Sequence, residues 1–418
     1  MGEQSAEGGL VGRQDGCDRF EILFCAPLGM HSGKTVFSQL TDLIHREHFS
    51  RLVRRYSGER RVRHFSCWEQ FHCLVFAQLT YRESLRDIEA CLGSCGSQLY
   101  HLGFRSRICR STLAEANETR DWRIFADLAT HLMAQARRLY AGDILMVELA
   151  ESVFALDSTT IELCLSLFPW AGSCATQAGV KLHTLLELRG PIPSFVRVTT
   201  AMVHDVNALD WLLFEPGAYY VMDRGYVDYA RLYELHEQRA FFVIREKDSL
   251  RFIRHESRPS DPLEGICSDQ IGVLRTARAR AHYPEKLRRL RVFDAQTHRT
   301  LVLLTNAFQL PAKTCSLLYR SRWRVELFFK WIKQHLRIKS FFGRSANAVK
   351  TQLWIAICTY TLVAIWHRRL KHPGSLHSFL QVLSVNAFAQ VPLVELLPAS
   401  SAHSYPIDDD NQLLLNIL

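Results

Sequence analysis

Apolar positions along this chain follow two different periods. From about residue 35 to 140 they recur every three or four positions, in Phe71, Leu74, Val75, Ala77 and Leu79 and again in Leu85, Ile88 and Leu92. That spacing predicts helices. Gly93-Ser-Cys-Gly96 interrupts the pattern, and Arg105-Ser-Arg-Ile-Cys-Arg110 interrupts it again before Ser111-Thr-Leu-Ala-Glu-Ala116. There Thr112 fits a helix N-cap, with Glu115 three residues on as in a capping box. Helix, turn and helix, with arginines just before the second helix, have the form of a DNA-reading element. An ordinary helical bundle with a polar face has the same form.

From about residue 150 the period shortens. Val153-Phe-Ala-Leu-Asp157 reads as a short strand, Val180–Leu188 alternates, Arg189-Gly-Pro-Ile-Pro193 is a turn, and Ser194–Thr200 is a third strand. A helix over Asp205–Leu213, a strand Tyr219-Tyr-Val-Met-Asp223, a helix over Asp228–Gln238 and a strand Ala240–Ile244 follow. Three strands, helix, strand, helix, strand is the order of a ribonuclease-H-like core. Residues 249–310 leave that order: strand-like pieces such as Leu301–Thr305 alternate with arginine clusters at Arg275, Arg278, Arg280 and at Arg288, Arg289, Arg291. We read an inserted β-rich module whose arginines either contact DNA or form a solvated face. Residues 313–340 and 345–370 read as helices, and the tail from Leu376 as short helices and loops.

The expected fold is therefore α/β: a ribonuclease-H-like mixed sheet interrupted by a β-rich insertion, with N-terminal and C-terminal helices. The expected divisions are 30–145 (helical, DNA-binding), 146–248 (core, first part), 249–310 (insertion), 311–372 (core, second part) and 373–418 (tail). Residues 1–29 lack a clear period, and Met30 reads like a natural start, so they are expected to be a flexible or spurious extension.

Composition narrows the partners. The 418 residues carry a net charge of +9, which favours a polyanion. The 12 cysteines contain no Cys-x-x-Cys pair, which excludes the common zinc spacings and fits reduced cytosolic thiols. The longest apolar run, Leu353–Trp366, is too short for a membrane span and predicts a buried helix.

Three acidic residues carry the candidate chemistry. Asp157 and Asp223 end predicted strands, and Glu326 lies in the basic, aromatic segment Tyr319–Lys333. Two strand-end aspartates and a distant helical glutamate can hold two divalent metals about 4 Å apart, a site for cutting and joining phosphodiesters. At about 100° per residue from Tyr319, Arg322 falls near about 300°, Lys333 about 320° and Glu326 about 340°. One face would thus carry a metal-binding carboxylate beside cations and a hydroxyl that grip phosphates. Arg322 and Glu326 are equally an i,i+4 ion pair of a solvated helix.

The spacing Tyr319, Arg322, Glu326, Lys333 resembles the Tyr–Arg–Glu–Lys signature of DDE transposases of bacterial insertion sequences, in the IS-four family. Leu156-Asp-Ser-Thr159 and Met222-Asp-Arg-Gly-Tyr226 resemble that family's first and second aspartate motifs. The resemblance spans roughly residues 30–400 and is loose over the N-terminal helices. It implies catalytic, metal-binding roles for Asp157, Asp223 and Glu326, with two Mg²⁺ ions for which Mn²⁺ can substitute. It implies DNA contacts from Tyr319, Arg322 and Lys333, and Arg224 and Lys330 are counted with them. It also implies cut-and-paste transposition on double-stranded DNA, element ends and target alike, by a homodimer on paired ends. The setting would be bacterial, cytoplasmic and nucleoid-associated, with no membrane. Relatives that form hairpins stack a flipped base on an aromatic residue, often from the insertion. This insertion has no tryptophan, and its aromatics Phe252, Tyr283 and Phe293 are ordinary, so the hairpin step is not carried over. Two other readings are a catalytically decayed or co-opted DNA-binding protein, which would keep the basic surface and lose the acids, and a structure-specific nuclease, which leaves Tyr319, Arg322 and Lys333 unexplained.

Overall fold

Three parallel strands with continuous apolar sequences form the centre of the molecule. The computed structural model describes residues 33–143, 149–172, 178–294, 298–336 and 341–396. The proposed extension over 1–29 and the end of the tail lie outside the described residues.

The N-terminal helices are α1 (Val36–Thr41), α2 (Arg46–Arg55), α3 (Cys67–Leu79), α4 (Leu85–Ser94), α5 (Arg110–Thr119) and α6 (Arg123–Tyr140). The capping box sits on α3: the Ser66 hydroxyl accepts from the Glu69 amide, and the Glu69 carboxylate accepts from the Ser66 amide. The expected cap at Thr112 is displaced. Helix α5 begins three residues earlier, behind Cys109 as N-cap, and its first amide, Arg110 N–H, donates to Glu89 Oε1 at 3.1 Å. An acid from the preceding helix thus does the work expected of the threonine.

Then come β1 (Val153–Leu163), β2 (Ala178–Glu187), β3 (Ile192–Thr200), β4 (Tyr219–Met222), α7 (Tyr229–Glu237) and β5 (Phe241–Arg245). The segment Asp205–Trp211, expected as an α-helix, is a 3₁₀ helix capped by His204. Strands β1 and β4 pair in parallel with Leu156 opposite Met222, and β4 and β5 pair in parallel with Met222 opposite Ile244. Both faces are covered, which is why these strands are apolar throughout. Val153, Ala155, Tyr219, Val221 and Val243 join one core, while Phe154, Leu156, Tyr220, Met222, Phe242 and Ile244 join the other. Side chains alternate along a strand, so Asp157 and Asp223, the next odd positions, fall on the first face.

The insertion holds β6 (Phe252–Arg258), β7 (Ile266–Leu274), α8 (Ala277–His282), β8 (Leu287–Asp294) and β9 (Arg299–Thr305). Although this segment leaves the core's element order, it is continuous with the core sheet. Strand β9 pairs antiparallel with β5, Thr305 opposite Val243 and Leu303 opposite Arg245. A single nine-stranded sheet results, in the order β3-β2-β1-β4-β5-β9-β8-β7-β6. The physical reason is that β5 would otherwise be a bare edge next to buried apolar residues.

The chain continues through α9 (Ala312–Ser321), α10 (Trp323–His335), α11 (Ala346–Arg369) and α12 (Leu376–Val385). By length and composition α11 could cross a membrane, but 94% of its most apolar stretch is buried inside the fold. It packs against α3, α5, α6 and β3. The Tyr140 hydroxyl donates to the Ala364 carbonyl at 2.9 Å and the Tyr360 hydroxyl to that of Pro191 at 2.6 Å, so α11 ties the N-terminal helices to the sheet.

Candidate active site

Alternation along β1 and β4 sends Asp157 and Asp223 to the sheet face that α9 and α10 cover. Parallel pairing of Leu156 with Met222 makes the two aspartates neighbours at the carboxyl edge, where ligands of open α/β sheets bind. The helical segment expected over Tyr319–Lys333 is two helices. Arg322 lies between them, with i→i−3 bonds on each side, from Arg322 N–H to Tyr319 O and from Val325 N–H to Arg322 O. Such tightening rotates the following turn relative to an unbroken helix.

At that junction the site assembles. The Arg322 guanidinium donates to Asp157 Oδ2 at 2.8 Å and to Glu326 Oε1 at 2.7 Å. The Tyr319 hydroxyl donates to Asp223 Oδ1 at 3.3 Å. Four of these five residues are half-buried and Tyr319 is buried. Lys333 reaches the sheet further along α10, donating to the Thr160 carbonyl of β1 at 2.9 Å. Lys330 lies on α10 four residues after Glu326 and is half-buried. Arg224 directly follows Asp223, and its Nη1 lies 3.4 Å from the exposed Asp248.

Burial, opposed mainly by Arg322, raises the Asp157 carboxyl to about 6, with Glu326 and Asp223 adding to the rise. Burial pushes the Tyr319 hydroxyl to about 12. Burial works against the Arg322 cation, but Asp157 and Glu326 outweigh it and its pKa is raised. Three carboxylates therefore gather round one guanidinium, with Arg322 Nε buried and unpartnered.

The donors are all carboxylate oxygens, which suit a hard divalent cation. Among the described residues no three His, Cys, Asp or Glu side chains close on one point at metal-ligand range. The Arg322 guanidinium lies between Asp157 and Glu326 and bonds to both. The donor set fits a hard divalent cation.

One residue at this edge was not singled out in the sequence. Arg245 ends β5 directly beyond Ile244, which pairs with Met222, so it stands next to Asp223. The signal was there. Val153-Phe-Ala-Leu-Asp157, Tyr219-Tyr-Val-Met-Asp223 and Phe241-Phe-Val-Ile-Arg245 each place a charged residue after four apolar ones. Other polar residues nearby are structural. Ser158 Oγ donates to Asp205 at 2.6 Å, and Lys181 pairs with Asp205 at 2.9 Å, so Asp205 braces β1 and β2 rather than capping a helix. His183 is buried against Trp211, and burial lowers its pKa to about 4.

A mixed α/β sheet with acidic residues at adjacent parallel strand ends, and a glutamate brought over them by a helix, is consistent with a ribonuclease-H-like class of fold. The chain belongs to the transposase DDE domain family, whose model matches residues 148–362. Residues 32–105 match a domain of unknown function (DUF4372). The chain is 35% identical over 260 residues to "Putative transposase y4zB" of Sinorhizobium fredii, spanning 60% of this chain and 70% of that protein. It is 32% identical over 241 residues to "Probable transposase for insertion sequence element IS5377" of Geobacillus stearothermophilus, spanning 57% of this chain and 63% of that protein. It is 22% identical over 271 residues to "Putative transposase for insertion sequence element IS4SA" of Synechocystis, spanning 61% of this chain and 71% of that protein.

Proposed function

We propose that this chain is an insertion-sequence transposase of the Tyr–Arg–Glu–Lys branch of the IS-four family. Its activity is to bind the ends of its element and to cleave and rejoin DNA strands there. The observation that carries this is the meeting of Asp157, Asp223 and Glu326 through Arg322 and Tyr319 at the carboxyl edge of the parallel strands.

Asp157, Asp223 and Glu326 would hold two Mg²⁺ ions, with Mn²⁺ able to substitute. Bound there, the ions would supply an activated water or 3′-hydroxyl and stabilise the leaving oxygen. The protein's own part is positioning. The half-buried carboxylates are held in place by Arg322 and Tyr319. Arg322, Tyr319 and Lys333 line the same edge with donors, and Lys330, Arg245 and Arg224 extend the cationic border where the backbone would run. The partner is double-stranded DNA, first the element's ends and then a target, and a homodimer would pair the ends. We place the protein with the bacterial chromosome in the cytoplasm. The alternative of a decayed or co-opted DNA-binding protein draws no support from this site, whose acids are all present.

The test is a duplex bearing the inverted repeat that flanks the gene, incubated with purified protein in Mg²⁺ or in EDTA. Cleavage at the repeat boundary should require the metal. Asp223→Asn should lower it by roughly a thousandfold or more, on the scale of losing a catalytic group, while duplex affinity stays within about twofold of wild type. Cleavage that survives EDTA, or persists in Asp223→Asn, sinks the proposal.

A further inference from the structure

The sequence pointed to α4 and α5 as a DNA-reading pair. Their surface chemistry argues otherwise. Helix α5 exposes Glu115 and Glu118, and the arginine that opens it, Arg110, faces Glu89 at 3.9 Å. Those carboxylates weaken α5 itself as a phosphate grip, and the exposed Arg105 and Arg107 lie before the helix rather than on it.

A cleft of about 470 Å³ opens elsewhere on the same helical unit, between α2, the turn after it and the start of α3. Its floor is Phe49, Val53 and Trp68, all buried. Its rim is Arg46, Arg54 and Arg60, all exposed. Helical spacing builds the rim: Arg46, Ser50, Arg54 and Ser57 fall four, four and three residues apart on one face of α2. Ser57 then takes φ of +52°, which ends the helix and brings Arg60 back over the same face.

Among the described residues Arg46, Arg54 and Arg60 form no ion pair, although Asp42 lies near enough to Arg46 to act on it electrostatically. Their neighbours Arg55 and Arg123 pair with Asp127 and Asp121. The Arg46 guanidinium lies 3.8 Å above the Trp68 ring, and burial together with the nearby Arg105 lowers its pKa. Glu59 also borders the cleft, but its carboxylate accepts from the Cys67 amide and so is turned to the start of α3. Unpaired arginines crowded about an aromatic floor are stabilised by an anion at their tips.

We infer that this α2–α3 cleft, and not the α4–α5 pair, is where the N-terminal unit grips DNA. Arg46, Arg54 and Arg60 bind phosphates of a duplex backbone, and the buried Trp68 supports Arg46 from beneath. Contacts of this kind fix position and carry no base readout. The inference rests on DNA being the partner of the proposed transposase and adds the surface that meets it.

The test is fluorescence anisotropy of a labelled duplex titrated with the full-length protein at several salt concentrations. The proteins compared are wild type, Arg54→Ala with Arg60→Ala, and Arg110→Ala. Both cleft side chains are exposed and unpaired, so thermal melting should match wild type and show the double variant folded. Its affinity should fall about tenfold, and the slope of log K against log salt should drop by roughly 2, about 0.9 for each phosphate no longer neutralised. Arg110→Ala should bind like wild type. Wild-type affinity and slope in the folded double variant overturn the inference. So does a loss confined to Arg110→Ala. If wild type cleaves element ends while the cleft variants are unaffected, the transposase reading stands alone. If wild type binds no duplex, or binds only anionic lipid vesicles, both fall.

Discussion

The two halves of the nine-stranded sheet treat charge in opposite ways. In the antiparallel half Arg288 and Asp269 are matched one to one, both side chains 3% exposed, with bonds of 2.9 and 2.6 Å. Arg288 also donates to the Ala307 carbonyl at 3.1 Å, and Arg289 pairs with Glu246 at 2.6 Å. In the parallel half three carboxylates gather about Arg322, one of them pushed to about 6. Matched and buried charges hold a fold; an excess of carboxylates is a place where positive charge is wanted. The contrast also revises the reading of the arginine cluster in the insertion. Arg288 belongs to the interior and Arg289 to an ion pair, while Arg275, Arg278, Arg280 and Arg291 remain on the surface.

The sharpest way to break the comparison is Arg288→Ala. Removing one member of a buried pair leaves the other uncompensated and costs about 3–5 kcal/mol. The urea midpoint should fall accordingly, and joint replacement of Arg288 and Asp269 by apolar residues should recover much of it. A loss below about 1 kcal/mol would show that this pair is not structural.

The parallel half should respond in the reverse direction. The Asp157 pKa is raised on folding, so its protonated form favours the folded state. That contribution is complete below the unfolded value of about 3.9 and is lost as pH rises through about 6. Asp157→Asn removes the penalty. Without metal the variant should be more stable than wild type above pH of about 6, by no more than about 3 kcal/mol. The gap should close towards pH of about 4 and narrow when Mg²⁺ is added. Paired thermal melts across that range check it; a variant less stable than wild type at every pH refutes the idea that burial of the charged Asp157 carboxylate costs stability.

The smallest effect should come from Arg224→Ala. Its partner Asp248 is 94% exposed, and such a pair contributes about 0–1 kcal/mol. Stability should hardly change while cleavage declines. A large fall in melting temperature with unchanged cleavage would move Arg224 from the site border to the scaffold.

Much of this was legible because local sequence decides it. Four apolar residues followed by an acid gave β1 and β4, and alternation gave the face on which the acids lie. What escaped depended on distant partners. Arg288, Arg289 and Arg291 look alike until Asp269 and Glu246 are placed beside two of them. The pairing of β9 with β5 joins segments roughly sixty residues apart, and no period announces it. The break at Arg322 lies where its side chain meets Asp157, a partner 165 residues away in sequence, and Arg245 was missed because its pattern ends in a cation.

The seam between β5 and β9 has a mechanical meaning. Arg245 closes β5 beside Asp223 and is itself paired across to Leu303, so the insertion is fastened to the very strand that borders the acids. A hinged lid could swing without disturbing what it covers. This insertion is closer to a plank: weight placed on its far edge at β6 would travel from strand to strand and tilt the ground on which the acids stand.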